Sequence, residues 1–150
     1  MAAPEGLYKI RRSSNDEGNV LSKLSTLISV VEDDGIVRLS TRRLLRSFGY
    51  AAEAFSSAAD FLASPNLGET ACLVSDINMP GMTGIELFQR LKETGRTIPT
   101  VLITAYPDDA VRDRALKEGV CCYLLKPFDD KELLRCVRLA IGESSPPVTP

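Results

Sequence analysis

Five times along this chain a short apolar run gives way to a longer amphipathic segment, and that alternation narrows the fold to the α/β class. The runs fall at 27–31, 50–55, 72–75, 99–103 and 121–125. They have the length of strands, and their near-continuous hydrophobicity suits strands covered on both faces. The intervening segments have helical spacing. In the first, over about residues 36–48, Val37, Thr41, Leu44, Leu45 and Phe48 share one face, and Gly49 follows as a helix-ending glycine should. Ser57, with Asp60 three residues on, resembles a capping box and predicts a short helix to Ala63. Further helices are expected over 85–93, over 108–118 where Gly119 closes the segment, and over about 130–141, whose acidic first turn suits the positive end of a helix dipole. Short connections and right-handed crossovers then give a doubly wound, five-stranded parallel sheet with strand two outermost. In such sheets ligands bind beyond the carboxyl ends of the strands, where the strand order reverses.

With 150 residues the chain fits one domain able to bury a core without covalent staples. Residues 1–25 are polar and mixed, with the run from Ser13 to Asn19 reading as a flexible extension. Residues 143–150 hold Pro146, Pro147 and Pro150 and read as an extended tail or linker, which leaves 26–142 as the folded region. The first residues lack the apolar core and cleavage site of a secretory signal, and the apolar stretches are too short to cross a bilayer. A net charge of −2 gives no electrostatic reason for direct binding to nucleic acid or an anionic membrane. Cys72, Cys121, Cys122 and Cys136 make no C-x-x-C pair, and the chain has no histidine to complete a mixed zinc site. They are expected to be small buried thiols in a reducing cytoplasm. The missing histidine also excludes Ser-His and Cys-His nucleophile systems. Any phosphate chemistry here uses a carboxylate acceptor, with the donor on another molecule.

Polar groups collect at the predicted strand ends. Glu32, Asp33 and Asp34 follow strand one, Asp76 and Asn78 follow strand three, Thr104 ends strand four, and Lys126 with Pro127 ends strand five. Converging carboxylates repel one another, and a hard divalent cation relieves that repulsion. Oxygen-only ligands suit magnesium, with manganese as a substitute. Asp76, placed centrally, can act as an oxygen nucleophile toward phosphorus. The cation, the Lys126 ammonium and the Thr104 hydroxyl suit the charge that develops on the equatorial phosphoryl oxygens. After Asp76, the run Asn78-Met79-Pro80-Gly81-Met82-Thr83-Gly84 predicts a tight loop in which Gly81 permits a positive φ and Gly84 a close approach where helix three begins. The Lys126-Pro127 dipeptide is a candidate cis peptide.

These runs together resemble the four signature segments of response-regulator receiver domains. They are Val30-Val31-Glu32-Asp33-Asp34, Ser75-Asp76 through Gly84, Ile103-Thr104-Ala105, and Tyr123-Leu124-Leu125-Lys126-Pro127-Phe128. The similarity extends over roughly residues 26–142, with the motifs in the family's order and spacing. It implies the flavodoxin-like strand order 2-1-3-4-5 with five helices. It implies Asp76 as phosphoacceptor, Lys126 and Thr104 as contacts to the phosphoryl group, and Mg2+ held by Glu32, Asp33, Asp76 and the Asn78 backbone carbonyl. Thr104 and Tyr123 would form the switch. Glu32 departs from the aspartate commoner at its position, and Asp34 is left as the less critical acid. The resemblance further implies a histidine kinase or phosphotransfer protein as donor, and a downstream partner or second copy bound through helix four, strand five and helix five. Such a protein is not an enzyme in the usual sense, since it catalyses only its own phosphorylation and dephosphorylation. The flavour of the motifs is closest to receivers that precede helix-turn-helix output domains.

Each residue also has an ordinary reading. Asp76 alone would be a solvated loop acid, Lys126 a surface lysine, Thr104 a strand former and Tyr123 part of the core. Their joint placement at one sheet edge favours the functional reading. Arg38, Arg42 and Arg46 lie on one helical face, by default a solvated one, with docking of a phosphodonor along helix one as the alternative. Among rival functions, an aspartyl-phosphate phosphatase wants a second aspartate where Asn78 stands. A flavin phosphate would meet the acids after strand one. A phosphate-independent docking module is the remaining alternative.

Overall fold

The structure is a computed structural model that describes residues 25–143. Residues 1–24 and 144–150, which carry the expected N-terminal extension and the Pro/Ser tail, lie outside the described residues. The chain runs β1 (Leu27–Val31), α1 (Gly35–Ser47), β2 (Ala51–Phe55), α2 (Ala58–Leu62), a 3-10 turn (Leu67–Glu69), β3 (Thr70–Asp76), α3 (Gly84–Glu93), β4 (Thr100–Thr104), α4 (Asp109–Lys117), β5 (Cys122–Leu125) and α5 (Asp130–Ala140). The strands form one parallel sheet in the order β2-β1-β3-β4-β5, as expected. The order reverses between β1 and β3, so the crevice of a doubly wound sheet falls where Glu32 and Asp76 leave their strands.

Alternation along the strands sorts the core into layers. Ile28 and Val30 of β1, Cys72 and Val74 of β3, Val101 and Ile103 of β4 and Leu124 of β5 are buried with Leu45 of α1 and Leu133 and Val137 of α5. Val31 and Leu73 point the other way, into a cluster with Phe61 of α2 and Leu87 and Leu91 of α3. A third cluster joins Leu102 to Phe88 of α3, Ala115 of α4, Ile77 and Val120.

Element ends move from their expected places for identifiable reasons. β3 starts at Thr70, two residues before the predicted 72, and continues through Asp76. Thr70 pairs with Leu27 and Asp76 with Ile103. Polar residues masked both ends of this strand, and the buried Thr70 hydroxyl is satisfied by the Ser29 hydroxyl at 2.8 Å. The 3-10 turn before it had no apolar pattern to reveal it. β5 begins at Cys122, one residue late, and Tyr50 precedes β2, its N–H closing α1 on the Leu45 carbonyl. Asp34 caps α1, its Oδ1 accepting from the N–H groups of Ile36 at 2.9 Å and Val37 at 3.1 Å. The acid with the least expected role therefore sets where α1 starts. Reciprocal capping boxes open α3 (Thr83 with Glu86) and α5 (Asp129 with Glu132). The box expected at α2 is half made. Ser57 accepts from the Asp60 N–H, while the Asp60 carboxylate accepts from the Ser56 hydroxyl.

Candidate functional site

Each strand bordering the crevice delivers one component. Glu32 follows β1 and is 5% exposed, and Asp76 ends β3 and is 6% exposed. Asp33 is exposed beside them. Carboxylate oxygens of Glu32, Asp33 and Asp76 all lie within 4.8 Å of one another. Lys126, just past β5, reaches into this group with Nζ 2.9 Å from Glu32 Oε1 and 3.2 Å from Asp76 Oδ1. The Lys126-Pro127 peptide is cis, as its sequence suggested.

Burial pushes the Asp76 carboxyl above its ordinary value. Lys126 opposes that rise and Asp33 adds to it. Glu32 is raised for the same first reason, with its hydrogen bond from Lys126 pulling the other way. Burial works against the charge on Lys126, yet Glu32 and Asp76 together hold the ammonium above its ordinary value. Glu32 and Asp76 thus resist ionising together even with Lys126 between them. That is the electrostatic condition a divalent cation relieves, and the all-oxygen donor set suits magnesium or manganese.

The backbone around Asp76 is fitted closely. A Cβ at Gly84 would run into the Asp76 carbonyl oxygen, so only glycine lets α3 begin there. The Gly84 N–H donates to the Ile77 carbonyl at 3.0 Å, and the Ser75 hydroxyl to the Asp76 carbonyl at 3.0 Å. Gly81 turns the loop at φ 77°. Asn78 stands exposed in this loop, and among the described residues no hydrogen bond is donated to its backbone carbonyl. That leaves the carbonyl open for the role expected of it.

Two contacts escaped the sequence. Arg38, read above as part of a charged helix face, turns its guanidinium back onto the acidic turn and donates to the carbonyls of Glu32 at 2.9 Å and Asp33 at 3.3 Å. Its position on the first turn of α1, directly after the acids, was the available signal. The Asn78 side chain accepts from the Thr104 hydroxyl at 2.7 Å. A bond between a loop and a strand end 26 positions apart leaves no local pattern. Tyr123 is half-buried against the cluster of Ile77, Phe88, Leu102, Ala115 and Val120, its hydroxyl enclosed and unpaired among the described residues.

Residues 28–138 match the response regulator receiver domain family. The chain belongs to it. Across 121 residues the receiver is 36% identical to the response regulator protein TodT of Pseudomonas putida, covering 81% of this chain and 53% of that protein. It is also 36% identical to the transcriptional regulatory protein FixJ of Azorhizobium caulinodans, over 79% of this chain and 56% of FixJ. It therefore spans about half the length of these relatives. Among solved structures, the response regulator StyR superposes with a TM-score of 0.73 at 40% identity, covering 79% of this receiver and 60% of that chain. The structure titled FixJ-N superposes with a TM-score of 0.71 at 29% identity, covering 81% and 97%. The family accounts for the five-stranded order and for an acidic crevice at the β1/β3 reversal, and it displaces the phosphatase and flavin readings.

Proposed function

We propose that this receiver accepts a phosphoryl group on Asp76 from a histidine kinase or phosphotransfer protein in a magnesium-dependent reaction. The observation that carries the reading is the buried Asp76 carboxylate gathered with Glu32 and Asp33 and bridged to Glu32 by the Lys126 ammonium. Mg2+, held by Glu32, Asp33, Asp76 and the Asn78 carbonyl, would supply positive charge to the phosphoryl oxygens. The rest falls to the chain. Arg38 holds the turn that presents the acidic pair. Gly84 lets α3 close against Asp76 and fix its direction. An Asp76 carboxylate oxygen forms a bond to phosphorus as the bond between phosphorus and the donor breaks, the electron pair leaving with the donor. Lys126 then turns from its two carboxylates to an equatorial oxygen, and Thr104 supplies a neutral donor.

A groove beside this site, about 830 Å³, is lined by Ile36, Val37, Ser40, Leu44, Pro127 and Phe128, and Ile36 is 80% exposed at its rim. An apolar groove at the mouth of the phosphoacceptor site suits the donor protein. The bound dianion would favour a state in which Thr104 and Tyr123 rearrange, remodelling the face of α4, β5 and α5 for a downstream partner or a second copy. The exposed Leu125 lies on that face. Work in the cytoplasm and regulation of transcription belong to the same reading, the latter supported by the likeness to the longer transcriptional regulatory protein FixJ. Labelling with acetyl phosphate tests the proposal. Magnesium-dependent incorporation in the native chain that is lost in Asp76→Asn is expected. No incorporation in a folded native chain overturns phosphorylation by small donors and favours a phosphate-independent docking module.

A further inference from the structure

Thr104 ends β4 at 1% exposure, and its hydroxyl has a single proton to donate. That proton is spent on Asn78 Oδ1, 2.7 Å away. The Tyr106 N–H donates to the same Thr104 oxygen at 3.0 Å, which occupies an acceptor position as well. The Tyr106 carbonyl, at 3.5 Å, is too distant to be a strong alternative acceptor. A phosphoryl oxygen arriving at Asp76 can therefore receive the Thr104 proton only if the bond to Asn78 breaks.

We propose that Asn78 is a positioning residue, whose side-chain carbonyl holds the Thr104 hydroxyl in the unphosphorylated state and slows its delivery to Asp76. This rests on the phosphoacceptor reading of Asp76 and adds a role for the Asn78 side chain, distinct from its backbone carbonyl. The geometry makes the arrangement specific. Asp76 pairs with Ile103 across the sheet, so the loop after β3 and the end of β4 stand side by side. Asn78 is two residues beyond Asp76, and Thr104 one beyond Ile103. The link therefore spans the two strand ends between which the phosphoryl group must fit. Breaking it also releases a constraint on the loop that begins at Ala105 and leads to α4.

A double-mutant cycle tests this, using phosphorylation rates with acetyl phosphate and magnesium for the native chain, Asn78→Ala, Thr104→Val and the pair. Asn78→Ala keeps the backbone carbonyl and removes the side-chain acceptor. It is expected to raise the native rate about two- to tenfold, the worth of one net hydrogen bond, and to change nothing in the Thr104→Val background. An unchanged or slower Asn78→Ala protein, or an equal effect in both backgrounds, overturns the proposal. A second readout needs no phosphate. The Tyr106 amide, which donates to the same Thr104 oxygen, should shift its proton resonance in Asn78→Ala but not when Thr104 is already valine. A Tyr106 amide that does not move, or moves alike in both backgrounds, shows that Asn78 does not hold the hydroxyl. A native chain that takes no label overturns phosphorylation by small donors and, with it, the kinetic part of this proposal. The amide shift still decides the Asn78–Thr104 link by itself.

Discussion

Asp76 carries its charge in surroundings that oppose it, and the opposition is measurable as stability. Burial raises its folded proton affinity above the ordinary value of 3.8, despite Lys126 nearby. A carboxyl raised in this way contributes most to stability below its unfolded value, and the contribution is lost as pH rises through the folded one. Asp76→Asn is neutral at every pH. In the absence of divalent cations it should melt a few degrees above the native chain at neutral pH, and the gain should shrink as pH falls toward 3.8. Melts across that range check this, and a variant melting at or below the native chain at neutral pH contradicts it. Glu32 shares the sign of the shift. At this scale the sequence was informative wherever residue type and chain position were enough. Asp76, Lys126, Glu32 and Asp33 converge because each stands at or just past the end of a strand of one parallel sheet. The Arg38 bonds to the acidic turn and the Asn78 bond to Thr104 depend on side-chain direction across a gap, which no spacing rule encodes.

Secondary-structure elements earn their positions through caps and close approaches more than through propensity. α3 illustrates both, since Thr83 and Glu86 satisfy its first turn reciprocally while Gly84 makes room for the Asp76 carbonyl. These functions should separate on substitution. Thr83→Ala is expected to cost about 1 kcal/mol in urea unfolding and to leave the rate of phosphate incorporation unchanged. Gly84→Ala is expected to slow incorporation at least severalfold, because the added methyl displaces the Asp76 backbone. Equal effects of the two on rate would contradict this division. Helix and strand types were readable from periodicity, and the loop residues Pro80, Gly81 and Gly84 announced the turn after Asp76. The ends of β3 were not readable, since Thr70 and Asp76 are polar residues that the sheet buries through pairing. Asp34 was legible as an acid, but its use as the α1 cap required knowing where the helix began.

In the whole molecule, the parallel order with its reversal at β1 and β3 brings chemistry from β1, β3, β4 and β5 to one edge. The apolar layers of the sheet run up to that edge, through Val31, Ile77 and Ile103, and hold it in shape. Around the edge, the α1 groove extends to the β5–α5 loop and to Asp130 at the start of α5, so it adjoins the α4–β5–α5 face. The proposed switch depends on phosphate residing on Asp76 itself. The most direct test is to treat the chain with acetyl phosphate and magnesium, reduce the acyl phosphate with borohydride, and locate the product by peptide mass spectrometry. Homoserine at position 76, dependent on magnesium and found at no other acid, is the predicted result. Reduction at Asp33 or Glu32 with Asp76 intact, or no reduced residue at all, would contradict the account.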